Sequence, residues 1–440
     1  MTKQQKQFNL LLAFILLTGL VLRFWNFWNI PFMFDELSAM SRTTFDNFND
    51  LIKYGVVERD THPAGVQVFM YYWVVLFGER EIVVKLPFMI AGFASIYIAY
   101  LIGKLWFNRT AGILTATLMS SLQFFIMYSQ IARPYASGLF LTLMMVLFWS
   151  KYFFEKNKIL YLALFVLFAS LSAYNHYFSL LFAATVGFSG LLFVKKETVL
   201  PYIIGGIVIA LLYVPHLGIF VSQLEKGGVG GWLQAPERTF LFQFLNYLFH
   251  FSFWVYGTFL LVYIALFLFR GEITETNFGI KKRITLAVWF LLPLIIGYIY
   301  SVKFEPILQY SLLLFSTPYL FIFLFSFLKE TNFRMLSFAV AILLIANIIS
   351  LVFYRQHYHV FYKQPSEEIV RQAIELEKTY PGDVFFITNT IPYYNEYYFR
   401  KYKKEIPYYT VRNKELGKHD FEKMVSEIKE NIVVTSEVNG

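Results

Sequence analysis

Two adjacent carboxylates, Asp35 and Glu36, stand in "FMFDELSAM", just where a long apolar run gives out. Further on come "ERDTHPAG", with Asp60 and His62 ahead of Pro63, "YSQIARPYA", with Arg133, and "SAYNHYFSL", with His176 and Tyr177. Each of these types can do chemistry. A carboxylate that is partly desolvated and within hydrogen-bond reach of a hydroxyl can act as its general base. A guanidinium presents a planar donor fork to phosphate oxygens, and a histidine beside it can contact the same anion. Each also has a plainer reading. Acids in the first turn of a helix suit its dipole. Glu58, Arg59, Asp60 and His62 can form a solvated turn, Arg133 can snorkel to a membrane interface, and His176 can be a hydrogen-bonded structural residue. The residues by themselves leave both readings open.

The elements that position them are membrane helices. The chain has 440 residues, 57% hydrophobic and only 15% charged, against about 25% charged in an ordinary soluble domain. Its apolar runs reach roughly 20 residues, enough to cross a hydrocarbon core about 30 Å thick. The alternation of a membrane β-barrel is missing. Hydropathy predicts an all-α polytopic membrane protein with about eleven spans, over 8–29, 82–102, 111–129, 136–153, 159–176, 178–194, 200–220, 241–268, 284–302, 307–328 and 335–354. The first run follows Lys3 and Lys6 and reads as a retained span, because Arg23, Trp25 and Trp28 come after it as an interfacial belt and no cleavage site does.

Charge then orients the bundle. One set of ends carries Lys3, Lys6, Lys104, Arg109, Lys151, Lys156, Lys158, Lys195, Lys196, Arg270, Lys281, Lys282, Arg283, Lys329 and Arg334. The opposite short loops hold Arg133, Lys226, Arg238, Lys303 and little else. The positive-inside rule makes the first set cytoplasmic. Residues 30–81 are then a long first extracytoplasmic loop with a helix running on from Asp35, and 220–238 is a second, flexible from its glycines. Residues 1–354 form the transmembrane domain. Residues 355–440 form an external tail that reads as a small α/β unit, with a helix capped by Ser366 in "PSEEIVRQAIELEKTY", a strand in "PGDVFFITNT" and another in "ENIVVTSE".

Several classes fall away. The net charge of +9 reflects cytoplasmic Lys and Arg and implies no nucleic acid. With no cysteine, a thiolate nucleophile and a Cys-ligated zinc are excluded. No zinc-protease spacing surrounds the histidines, so no metal ligands are assigned, and the glycines at 227–231 do not join a strand to a helix as a phosphate loop does. Charges inside the spans are nearly absent, which argues against an ion pathway. The ionisable groups gather instead at one interface, where substrates are lipid-linked.

The order "FMFDEL", "THPAG", "KLPFMIAGFASIYIAYLIGKLWF", "YSQIARPYA", "YNHYF" resembles the GT-C class of membrane glycosyltransferases, above all glycosyltransferase family 39, with its protein O-mannosyltransferases and the aminoarabinose transferases of lipid A. The likeness is good over residues 8–195 and looser afterwards. It implies transfer of a sugar from a polyprenyl-phosphate carrier to a hydroxyl of a glycan, lipid or protein acceptor, with inversion, on the outer side of the cytoplasmic membrane. By that resemblance Asp35 is the catalytic base and Glu36 its helper. His62 and Arg133 meet the donor phosphate, while Asp60, His176, Tyr177 and Tyr310 line the substrate site. Many relatives carry an arginine before the tyrosine where this chain has Gln309 before Tyr310, so another group must meet the phosphate there, and Lys303 is one candidate. No cofactor is required by the resemblance, and a divalent metal stays open. Two other readings compete. A flippase for lipid-linked glycans would line its interior with polar groups. A membrane scaffold would be indifferent to Asp35.

Overall fold

The computed structural model describes residues 2–155, 158–226, 233–268, 277–382, 384–388, 390–410 and 432–436. Lys156, Arg270 and the glycines at 227–231 lie outside them. The membrane part runs α1 (Lys3–Phe24), α2 (Phe34–Ser41), α3 (Phe48–Asp50) continuing as π-helical turns Leu51–Glu58, α4 (Ala64–Phe77), α5 (Glu81–Trp106), α6 (Arg109–Ser121), α7 (Gln123–Ser129), α8 (Ala136–Phe154), α9 (Ile159–Asn175), α10 (Tyr177–Ser189), α11 (Lys196–Tyr213), α12 (Leu217–Glu225), α13 (Phe240–Leu248), α14 (Phe253–Leu268), α15 (Asn277–Lys303), α16 (Thr317–Phe325) and α17 (Phe333–Ile349). The chain continues through α18 (His357–Val360), α19 (Pro365–Thr379), β1 (Val384–Thr388), α20 (Pro392–Tyr402), β2 (Tyr408–Thr410) and β3 (Ile432–Ser436).

Among the described residues six helices are long and apolar enough to span a membrane, or eight if each bent pair counts once. Each of the eleven windows holds helix, some of it shorter or more bent than a regular span. The windows 159–176 and 178–194 are shorter apolar helices, and 307–328 holds a 3₁₀ segment, Tyr310–Phe315, and the nine residues of α16. Hydropathy averages over a window and is blind to a break within it. α6 and α7 meet at 62° and α13 and α14 at 87°, the second corner made by left-handed backbone at His250 and Phe251.

The expected helix from Asp35 is likewise cut short. α2 stops at Ser41, and Asn47 starts the next turn by accepting from the Asp50 amide at 3.0 Å. Helices pack closely where glycines allow it. A Cβ on Gly103 would stand 2.8 Å from the Gly112 Cα, which brings α5 and α6 together. A Cβ on Gly65 would lie 2.4 Å from the Tyr174 carbonyl, so the "PAG" of the first loop seats α4 against the end of α9.

Two charges are buried in the protein, one of them, Arg23, expected in an interfacial belt. Arg23 is fully buried and donates to Met119 O at 2.7 Å and Ser120 O at 3.1 Å, capping the broken end of α6. Lys85, in the second turn of α5, is equally buried. The tail is a parallel sheet of order β2-β1-β3, with Val370, Ala373 and Ile374 of α19 buried. Pro365 occupies the first turn of α19 and Gln364 its N-cap, in place of Ser366, because proline's fixed φ and missing N–H suit that position.

Candidate functional site

Glu36 is buried completely, and both its oxygens are taken. Lys85 Nζ lies 2.6 Å from each, the Ala132 amide donates to Oε1 at 2.6 Å and the Met33 amide to Oε2 at 2.8 Å. Lys85 also donates to Gln130 O at 3.1 Å. One carboxylate thus ties together α2, α5 and the 130–135 loop. With both oxygens engaged, Glu36 is placed to hold the first loop, one of the two helper roles expected of it beside positioning the acceptor. Asp35, one residue earlier in the first turn, is exposed, and among the described residues its carboxylate has no hydrogen-bond or ion-pair partner. Arg42, Tyr135 and Tyr394 lie within electrostatic reach of it.

A second carboxylate, Asp60, is buried in a basic setting. Oδ2 lies 3.0 Å from Arg42 Nη2, and Oδ1 lies 2.9 Å from His62 Nδ1 and 4.0 Å from Arg133 Nη2. Arg42 is aligned by Gln67 at 3.2 Å and Ser38 at 3.0 Å. Burial alone would raise the Asp60 pKa, but the hydrogen bond and charge of His62, and the charges of Arg42 and Arg133, outweigh it and hold the carboxyl far below the usual range. His62 Nδ1 also lies 3.1 Å from Arg133 Nη2. It cannot serve both neighbours, since it must carry a proton for Asp60 and a lone pair for Arg133. The ionised Asp60 favours the Nδ1–H tautomer. This leaves the lone pair on Nε2 and frees an Arg133 donor, beside an Arg133 Nε that is buried with no partner. Arg42, Arg133 and Asp60 sum to one net positive charge.

His176 packs edge-on against His62, with ring centroids 5.1 Å apart. Its Nδ1 accepts from the Phe178 amide at 3.0 Å, so it caps α10 and carries its proton on Nε2. Tyr177 donates to Gln223 Oε1. Gln223 in turn donates to Val56 O, Asp60 O and His62 O at 3.2, 3.3 and 3.0 Å, clamping the acidic turn. His216 Nε2 accepts from the Ala64 amide at 3.0 Å and fixes the other side of that turn. Tyr310 stacks on Tyr247 at 5.0 Å in an aromatic wall that includes Tyr128 and Tyr135. Lys303 ends α15, is exposed, and makes no recorded contact with the cluster. The structure therefore brings Asp60, His62, Arg133 and His176 together, sets Asp35 near them, and leaves Lys303 apart. No metal-binding group of three His, Cys, Asp or Glu side chains occurs among the described residues.

Arg42, Lys85, Gln223 and Tyr394 escaped the sequence reading. Lys85 did carry a signal, being an ionisable group inside an apolar run. Arg42 and Gln223 look like ordinary surface residues until their carboxylate and carbonyl partners are known.

Burial and the nearby Arg133 charge push His62 below its ordinary 6.5, although its bond to Asp60 pulls the other way. A depressed histidine stabilises the fold above its unfolded pKa and loses that contribution as pH falls. A depressed aspartate does the same from about 3.8 downward. Thermal midpoints in detergent are therefore expected to drop between about pH 7 and pH 5, in part from His62, and His62→Gln should make that part of the curve shallower. A flat wild-type profile would contradict this electrostatic account.

Residues 61–219 match the family model described as dolichyl-phosphate-mannose-protein mannosyltransferase. ArnT from Cupriavidus metallidurans, in the apo state, superposes with a TM-score of 0.61 at 11% identity over 99% of this chain and 90% of its own. The chain has the GT-C fold of membrane glycosyltransferases. The GT-C likeness extends to the same enzyme bound to undecaprenyl phosphate, again at 0.61 and 11%, over 97% and 89% of the two chains. The oligosaccharyltransferase of Archaeoglobus fulgidus overlaps more loosely, with a TM-score of 0.43 at 11% identity, over 89% and 63%. No curated protein matches in sequence.

Proposed function

We propose that this protein moves a sugar from a polyprenyl-phosphate carrier to an acceptor hydroxyl at the extracytoplasmic face of the cell membrane. The observation that carries the reading is the pairing of two unlike environments. A net-positive, buried cluster has uncommitted Arg133 donors, and an unpartnered carboxylate, Asp35, lies near it. The match to a mannosyltransferase family over 61–219 supports it, as does the polyprenyl-phosphate complex of a protein with this fold. The spans argue against a flippase, because Arg23 and Lys85 are consumed by protein partners and line no polar path.

The acceptor oxygen attacks the anomeric carbon as its proton passes to Asp35, and the carbon–oxygen bond to phosphate breaks. Polyprenyl phosphate leaves with the bonding electron pair, and its growing charge falls on Arg133, supported by Arg42. His62, neutral, keeps its Nδ1–H on Asp60 and offers an Nε2 acceptor to a sugar hydroxyl beside the phosphate. Glu36 and Lys85 keep α2 in place. A glycan, a lipid or a protein could present the hydroxyl. Purified protein in liposomes, given a polyprenyl-phosphate sugar and envelope extract, should release polyprenyl phosphate in step with acceptor labelling. If the sugar stays on its carrier and only changes leaflet, the protein is a flippase.

A further inference from the structure

The tail reaches the transfer site through α20. Tyr398 donates to Phe32 O at 3.1 Å, the Tyr397 ring lies 5.3 Å from Phe32, and the Tyr394 ring meets Phe34 edge-on at 5.0 Å. Outside these, Arg400 pairs with Glu79 at 3.2 Å and Lys401 with Glu81 at 2.5 Å. The helix is thus fastened to the residues just before Asp35 and to the start of α5. Tyr394 is the inner member. It is fully buried, yet its hydroxyl has no well-formed hydrogen bond. The hydroxyl faces Ser38, and Asp35, Arg42 and Arg133 all lie within electrostatic reach. Ser38 Oγ already accepts from Arg42 Nη1 at 3.0 Å, and Arg42 holds Asp60.

We propose that Tyr394 is a positioning residue for sugar transfer, supplied by the tail. Its ring fixes the first turn of α2, and with it Asp35. Its hydroxyl closes on Ser38 when the site is loaded, so that a chain from Tyr394 through Ser38 and Arg42 to Asp60 holds the basic cluster against the departing phosphate. A buried hydroxyl is costly to leave unpaired, and one adjoining a charged site gains its partner most readily from a small movement of that site. The inference rests on the transfer reading above and extends it to the tail, which would act as part of the catalytic unit.

The test uses full-length protein in liposomes with a polyprenyl-phosphate sugar, and the variants Tyr394→Phe, Ser38→Ala, their combination, and Asp35→Asn. Tyr394→Phe keeps the ring, so folding is preserved. It is expected to lower kcat about tenfold, with the donor KM within about twofold and the thermal midpoint unchanged. Ser38→Ala should do the same, and the double variant should be no worse than either single one, as in a shared chain. If Asp35→Asn is inactive but Tyr394→Phe keeps wild-type kcat, or loses it only as its thermal midpoint falls, the role of Tyr394 is refuted and the transfer reading stands. If Asp35→Asn transfers normally, the transfer reading fails and takes this inference with it.

Discussion

Asp35→Asn should leave a folded protein that no longer transfers sugar, with a rate loss of about 10²–10⁴-fold, the usual worth of a general base. Asn has the same shape and keeps the favourable position in the first turn of α2, but it cannot take a proton. Asp35 is well placed for this task. It is exposed, has no partner among the described residues, and stands on a turn held from both sides by Glu36 and α20. Its neighbour offers the contrast: Glu36 spends every lone pair on Lys85, Ala132 and Met33. The measurement is kcat for Asp35→Asn beside Asp35→Glu, at matched expression and thermal midpoint. Wild-type kcat in the Asn variant would remove Asp35 from the mechanism.

Lys85→Met should be the most destabilising single change in the membrane part, by about 3–5 kcal/mol, because it strands the Glu36 charge with no counter-ion in a dry interior. Glu36→Gln should cost less, since a neutral amide still accepts from Ala132 or Met33. The double variant Glu36→Leu/Lys85→Met removes both charges and should recover much of the stability. It would not recover transfer, because the hydrogen bonds that tie the first turn of α2 to the 130–135 loop are gone. Thermal unfolding in detergent and the liposome assay together separate these outcomes. If Lys85→Met were as stable as wild type, the pair would hold little and another element would have to anchor the loop.

The polar residues of the first loop were conspicuous because the rest of the chain is so apolar. Asp35, Asp60, His62, Arg133 and His176 could be picked out by type and by their side of the bundle. Their company could not. Whether Glu36 works or merely anchors depends on Lys85, 49 residues away, and nothing local encodes that meeting. Arg42 falls within the expected helix from Asp35, and only the early stop of α2 at Ser41 turns it toward Asp60. Tyr394 belongs to a tail whose helix and strands were legible from their period and turns, but whose docking on Phe32 and Phe34 is a matter of tertiary packing. The bends within spans escaped for a similar reason: a window of apolar residues fixes hydrophobicity, while a corner at His250 and Phe251 is set by backbone angles.

The capping of α6 by Arg23 also bears on how the molecule is made. The guanidinium finds its carbonyl acceptors 96 and 97 residues further along the chain. When the first helix leaves the ribosome, those acceptors have not been synthesised. An arginine left without partners in apolar surroundings is costly, so Arg23 can be buried only once the carbonyl end of α6 is there to receive it. The seating of α1, from which the chain runs on to Asp35, therefore depends on a helix about a hundred residues further along.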